Sequence, residues 1–182
     1  MKLAAVALVP LVATAAPRLA HADPDVAIGV AAGSNLPSGD LGVVVQYGPA
    51  RWFAVEAGAG KDLGDFQRDG VQSSLTLRVR GDLGGPFRVF GGFGGAMGRI
   101  DRMTQDDVCQ IDGHGCSDIA NGFAWWTHVD FGVEADFEHA FVRLSAGARW
   151  IGNRSAVCRE PEPTWEPCFS SSFFGIAAGA RI

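Results

Sequence analysis

Apolar and polar residues alternate along almost the whole chain beyond residue 24. Because successive side chains of a β-strand point to opposite faces, a period of two predicts strands with two different faces. The alternation recurs in eight separate segments. They cover residues 26–33, 41–47, 53–60, 74–80, 87–98, 123–137, 142–150 and 174–182. The pattern therefore predicts an all-β protein of eight strands.

The composition of the two faces indicates which one points inward. One face carries large apolar residues, and the other carries mainly Gly, Ala and Ser with a few charges of both signs. A solvated face would be rich in lysine, but Lys61 is the only lysine after residue 22. Small residues suit the narrow interior of an eight-stranded barrel, and an apolar outer face is typical of barrels in membranes. We expect an antiparallel, up-and-down transmembrane β-barrel.

The connections between the predicted strands alternate in length. The long ones are 34–40, 61–70, 101–122 and 152–173, and the short ones are 48–51, 81–86 and 138–139. Outer-membrane barrels have short periplasmic turns and long outward loops. The alternation therefore favours such a barrel, with both of its ends on the periplasmic side.

Aromatic residues cluster near both ends of the predicted strands, as in the two aromatic girdles of a membrane protein. The short-turn end is predicted to carry Tyr47, Trp52, Phe53, Phe87, Phe137 and Phe141. The long-loop end is predicted to carry Phe123, Trp125, Trp150 and Phe174.

The first 22 residues have the features of a cleaved secretory signal peptide. Lys2 supplies the positive start, residues 3–16 are mostly apolar, and Ala20 and Ala22 form a small-x-small cleavage site. The apolar run is shorter than the roughly 20 residues that a spanning helix needs. We expect cleavage after Ala22, which leaves residues 23–182 as the outer-membrane β-barrel domain. The chain is acidic, with a net charge of −5, and nothing in this charge balance indicates nucleic-acid binding.

The four cysteines form two close pairs in polar segments, Cys109 with Cys116 and Cys158 with Cys168. In an exported chain such pairs predict two local disulfides within the outward loops. The alternative is a metal site. However, neither pair has the CxxC spacing, and His114 is the only histidine between the first two cysteines. We expect no metal and no cofactor.

With its eight alternating strands and small inward residues, the chain resembles the small outer-membrane barrels of the OmpA/OmpX transmembrane-domain type. The resemblance covers residues 24–182 and rests on the strand pattern. It implies a location in the bacterial outer membrane. Members of that group commonly end in a strand with a terminal aromatic residue, whereas this chain has Ile182 there.

Charged residues on the small-residue face are predicted to meet inside the barrel. These are Glu56, Arg78, Arg80, Arg88, Asp130, Glu134, Asp136, Arg143, Arg149 and Arg181, with His128 beside them. Isolated buried ions are costly, so they must pair. The pattern favours a salt-bridged plug, and the alternative is a narrow path for water or ions.

No segment predicts catalysis. His128, Asp130 and Glu134 share a strand face and would suit acid–base chemistry or a metal, but a closed lumen admits no substrate. Lipid A deacylases among the eight-stranded barrels use a His-x-Ser pair, and Asp130 occupies the serine position here. The glycine-rich stretch 91–98 lacks the GxGxxG spacing of a nucleotide loop.

The sequence thus predicts a non-enzymatic outer-membrane barrel with an envelope-structural or surface-interaction role. Its outward loops are acidic, which is typical of a solvated surface. The functional alternative is that they contact lipopolysaccharide through divalent cations, or that loops 101–122 and 152–173 bind an extracellular partner. Two other functions remain open, a small transport pore and a soluble lipocalin-like barrel that binds an apolar ligand.

Overall fold

The alternating segments form strands whose edges are all paired. The computed structural model of the chain describes residues 25–63, 70–104, 118–153, 157 and 170–182. Each strand pairs antiparallel with its neighbours in sequence, and the last pairs with the first, which closes the barrel. The strands are β1 Asp25–Ser34, β2 Leu41–Ala50, β3 Phe53–Lys61, β4 Val71–Gly84, β5 Phe87–Thr104, β6 Asp118–Asp136, β7 Ala140–Ile151 and β8 Ser170–Arg181. The prediction of an all-β, eight-stranded antiparallel up-and-down barrel is confirmed.

The connections alternate between long and short, as predicted, but several strands extend beyond their predicted ends. β5 continues to Thr104 and β6 begins at Asp118, so the connection predicted as 101–122 is too long. β8 likewise begins at Ser170, where serines pair with the end of β7. Backbone hydrogen bonds hold these extensions, and they do not require the apolar alternation by which the strands were located.

The turn between β4 and β5 is tighter than its predicted range of 81–86. β4 continues through Asp82 to Gly84, with a shift of register between these two residues. Gly84 and Gly85 have φ angles of 101° and 59°, which only glycine adopts readily. The two glycines thus allow the chain to reverse directly before Phe87.

Large apolar side chains point away from the lumen on all eight strands. Val30, Leu75 and Phe131 are 59%, 55% and 65% exposed. The opposite positions are buried, for example Val44 at 2% and Ala54 at 0%. Among the residues described here, no helix has the length and apolar character needed to cross a membrane.

The interior is narrow, and glycines leave room there for the aromatic rings of neighbouring strands. A Cβ atom added at Gly132 on β6 would contact the carbonyl oxygen of Leu144 and lie 2.7 Å from Cζ of Phe90. The aromatic rings of Phe90, Trp126, Phe141 and Phe173 are all buried. The placement of Phe141 in an outer aromatic girdle was therefore wrong. It precedes the outward-facing Val142, so the alternation of β7 turns its side chain into the lumen.

The first long connection closes one end of the lumen. Leu36 and Ser38 of this loop are buried, and Leu36 belongs to an apolar cluster with Phe141 and Phe173. Asp40 fixes the loop, because its Oδ1 accepts a hydrogen bond of 2.7 Å from the backbone of Asn35. The interior is thus filled from the long-loop end by a segment that the sequence pattern assigned only to a connection.

Candidate functional site

The middle of the lumen is occupied by Arg78 and the carboxylates beside it. Because Arg78 lies at an inward position of β4, its guanidinium projects between β3 and β6. Nη1 lies 2.5 Å from Oε2 of Glu56, and Nη2 lies 2.6 Å from Oδ2 of Asp130. Nε also donates a hydrogen bond of 3.1 Å to the same Asp130 oxygen. One arginine thereby connects two buried carboxylates from strands that are not neighbours in the barrel.

Glu56 extends this arrangement to the other half of the barrel. Its Oε2 lies 2.5 Å from Nη2 of Arg143 on β7. Arg143 in turn lies 3.7 Å from Glu134, and Glu134 lies 3.1 Å from Arg181 on β8. The charges alternate in sign at each step, so each ion has a neighbour of opposite charge in a water-poor interior.

The ion pairs continue to the short-turn end of the barrel. Arg181 also contacts Asp136 and Asp25. Asp136 lies 2.5 Å from Arg88, whose Nε donates a hydrogen bond of 3.1 Å to the exposed Asp82. We call the whole series the lumen ion-pair chain. It consists of Asp130, Arg78, Glu56, Arg143, Glu134, Arg181, Asp25, Asp136, Arg88 and Asp82.

Arg149 was predicted to belong to the same network but lies apart from it, near the long-loop end. Its Nη1 donates a hydrogen bond of 3.2 Å to Gln72, and its Nε donates one of 2.9 Å to Ser171. The guanidinium lies 5.3 Å from the ring centre of Trp126, a cation–π distance. Gln72 also donates a hydrogen bond to Asp62. Arg149 is thus held by neutral partners and an aromatic ring.

Asp62 lies in the connection predicted as 61–70, for which an acidic, solvated surface is expected, but it is only 4% exposed. Burial raises the pKa of Asp62 to about 6, and the nearby Asp40 carboxylate adds to the increase. The positive charge of Arg149 acts in the opposite direction. The long-loop end of the barrel therefore holds a carboxyl group that changes protonation in mildly acidic solution.

Arg80 is the second predicted member that lies outside the lumen ion-pair chain. Its side chain points inward and the residue is 7% exposed. Nη2 is buried and has no hydrogen-bond partner among the described residues. The backbone N–H of Arg80 donates to the carbonyl of Trp52, which fixes the position of the strand but does not compensate the guanidinium charge.

His128 does not form a site with Asp130 and Glu134, although all three are buried inside the barrel. Its Nε2 lies 2.9 Å from Oγ1 of Thr76, and its ring meets Phe173 edge-on. Asp130 and Glu134 are instead occupied by arginines. Within the described ranges, no group of three or more His, Cys, Asp or Glu side chains is arranged to hold a metal ion.

Aromatic rings separate the arginines of the interior, a feature that the strand pattern only partly indicated. Arg78 and Arg143 lie 5.1 and 5.7 Å from the ring centre of Phe90. Phe141 similarly lies within 5.8 Å of Arg143 and 5.9 Å of Arg181. Stacking of this kind suits the weakly hydrated guanidinium group. It also leaves little free volume, with a cavity of about 30 Å³ beside Thr76 and His128.

Several predicted features fall outside the described residues. They are the signal peptide with Ala20 and Ala22, and the cysteines Cys109, Cys116, Cys158 and Cys168. The cleavage site and the two disulfides therefore stay predictions.

Comparison with known proteins does not assign the chain. No protein-family model matches it, and no curated protein matches its sequence.

Proposed function

We propose that this protein is a non-enzymatic β-barrel of the bacterial outer membrane, exported through a cleaved signal peptide. Its role is to contribute to envelope structure or to surface interactions through acidic, disulfide-closed outward loops. The observation that carries the proposal is the inverted distribution of side chains. Large apolar residues cover the outside of the barrel, whereas charged residues fill its inside.

The outer apolar surface continues from one strand to the next. Ile28 pairs with Val45, Val45 with Ala57, and Ala57 with Leu75, so these outward side chains form a row across four strands. Soluble monomers rarely expose contiguous apolar patches larger than a few hundred Å². The hydrocarbon chains of a bilayer would cover such a surface and remove the unfavourable contact between apolar side chains and water. This supports the membrane over water as the surroundings of the strands.

The filled lumen supports a closed barrel rather than a transport pore. Arg78 and Arg143 cross the middle of the lumen, and both are bound to Glu56. A soluble lipocalin-like binder would instead need an apolar cup, and these charges occupy the place of such a ligand. We therefore expect no steady ion conductance from the protein in a planar bilayer.

The long connections are the part of the protein that would carry out the proposed surface role. In an outer membrane they would face outward, and the short turns would face the periplasm. Their carboxylates would bind lipopolysaccharide through divalent cations, or the loops would bind an extracellular partner. Loop recognition on a rigid barrel is a common arrangement, because the strands hold the loops in place.

Cell fractionation combined with gel electrophoresis tests the location. The protein should be found in the outer-membrane fraction and lack residues 1–22 by mass spectrometry. It should migrate differently on a cold SDS gel before and after boiling, as a closed membrane barrel does. A protein that is soluble and folded without detergent would contradict the proposal and favour the lipocalin-like barrel.

A loop-replacement variant tests the surface role separately. Short linkers in place of residues 105–117 and 158–169 should leave the boiling-dependent gel shift intact. Calcium-dependent binding to lipopolysaccharide vesicles should fall at least tenfold. Equal binding by the variant and the unmodified protein would contradict a role for these loops, while the gel shift would still report on the barrel.

A further inference from the structure

The short-turn end of the barrel contains an open cavity of about 520 Å³. Four arginines contribute to its lining, namely Arg51, Arg80, Arg88 and Arg181. Three acidic residues, Asp25, Asp136 and Glu138, also line it. We call this space the turn-end cavity. Its lining therefore carries one more positive than negative charge.

The acidic residues do not neutralise the four arginines evenly. Arg181 contacts Asp25 and Asp136, and Arg88 lies 2.5 Å from Asp136. Two of the three carboxylates are thereby committed to Arg88 and Arg181. Glu138 projects into solvent, with its side chain 89% exposed. Arg51 and Arg80 thus have no acidic partner within the described part of the chain.

Arg80 is the decisive residue, because it is buried and no carboxylate among the described residues forms an ion pair with it. The residue is 7% exposed, and its Nη2 lacks a hydrogen-bond partner among the described residues. A buried charge without partners is costly, and such a group in a folded protein requires an explanation, for example a bound ion. Its guanidinium borders a cavity large enough to hold a ligand group.

We propose that the turn-end cavity binds a phosphate group, with Arg80 at its base and Arg51 at its rim. The planar guanidinium donates two parallel hydrogen bonds to an oxyanion, which makes arginine well suited to phosphate. Two guanidiniums present more N–H donors than one carboxylate can accept, and a phosphate offers the additional oxygens. The site does not depend on whether the barrel conducts or on what its outward loops bind.

The phosphate can belong to a free anion or to a phospholipid headgroup, and titration distinguishes the two. The protein, purified in maltoside micelles free of phospholipid, is titrated calorimetrically with inorganic phosphate and separately with dihexanoyl phosphatidylglycerol. Sodium chloride at matched ionic strength is the control. Binding of phosphate alone identifies a free-anion site, and binding of only the short lipid identifies a headgroup site. Absence of both, or heats equal to those of chloride, overturns the proposal.

Variants connect the binding to the named residues. Arg80→Gln should weaken phosphate binding at least tenfold, and Arg51→Gln should weaken it several-fold because Arg51 is exposed. Arg80→Lys keeps the charge without the planar fork and should bind with intermediate affinity. Arg99→Gln, the same change near the long-loop end, should leave binding unchanged.

The cold SDS gel shows which variants fold. If Arg80→Gln does not fold, the comparison of Arg51→Gln with Arg99→Gln decides the outcome. Equal affinity of these variants and the unmodified protein would overturn the site.

Discussion

Arg143 on β7 and Glu56 on β3 meet across the lumen, with Nη2 and Oε2 2.5 Å apart. The same Glu56 oxygen lies 2.5 Å from Nη1 of Arg78 on β4. One carboxylate therefore compensates two guanidiniums that are almost completely removed from solvent. Because it joins the two halves of the lumen ion-pair chain, Glu56 is the residue on which the interior depends most.

Glu56→Gln should destabilise the barrel strongly. The substitution keeps the shape of the side chain but leaves Arg78 and Arg143 without their shared negative charge. Breaking a buried ion pair by removal of one partner costs about 3–5 kcal/mol. Denaturant unfolding in detergent micelles, followed by circular dichroism, measures the change.

Asp82→Asn is the matched control for that experiment. Asp82 pairs with Arg88 at 3.1 Å, but its side chain is 69% exposed. Exposed pairs contribute about 0–1 kcal/mol, so this variant should unfold near the unmodified protein. A small effect for both variants would mean that water or another group compensates the two arginines.

Gly132→Ala should destabilise the barrel by overpacking its interior. The added methyl group would meet the carbonyl oxygen of Leu144 and the ring of Phe90. Overpacking typically costs about 1–3 kcal/mol. Gly91→Ala is the control, because a Cβ there meets nothing within 4 Å. Unfolding curves that coincide for the two variants would contradict the close packing described for β6.

Asp62 predicts a pH dependence of stability. Burial raises its pKa from 3.8 to about 6, so the folded protein retains a proton that the unfolded chain releases. Stability should therefore fall as the pH rises from about 4 to about 6, by on the order of 1–3 kcal/mol, and change little from this group outside that window.

Unfolding measured at pH 4 and pH 7 tests this assignment. Asp62→Asn should remove most of the decrease, since the amide does not ionise. The amide oxygen of asparagine can still accept the hydrogen bond that Gln72 donates. A decrease of the same size in Asp62→Asn would assign the pH dependence to other groups.

The strands and their inward faces could be predicted from sequence, because a period of two depends only on local geometry. The same rule placed Arg78 and Glu56 inside the barrel. It also places Phe141 inside, and the prediction of an outer girdle position for Phe141 was wrong because closeness to a turn does not determine which face a side chain occupies. The extended ends of β5 and β6 could not be predicted, because backbone pairing continues there without an apolar pattern.

The pairing of the interior charges could not be predicted, because partners come from strands far apart in sequence. His128, Asp130 and Glu134 share one face of β6, yet His128 and Asp130 contact residues of β4, whereas Glu134 contacts arginines of β7 and β8. Arg80 points inward like Arg78, but the nearby carboxylates of Glu134 and Asp136 are bound by Arg181 and Arg88. Such outcomes depend on the register and curvature of the closed barrel rather than on spacing along one strand.

A pair of arginine substitutions at two heights on β4 tests the central claim, that the outer surface of the barrel contacts lipid. Leu77 lies near the middle of this strand and Leu83 near its turn, and they are 47% and 61% exposed. Unfolding by guanidinium in phosphocholine vesicles gives the stability of each variant. In a bilayer, Leu77→Arg should cost about 2–4 kcal/mol and Leu83→Arg about 0–1 kcal/mol, because the penalty for a charge falls with distance from the membrane centre. Small and equal costs at both positions would contradict a lipid-facing surface.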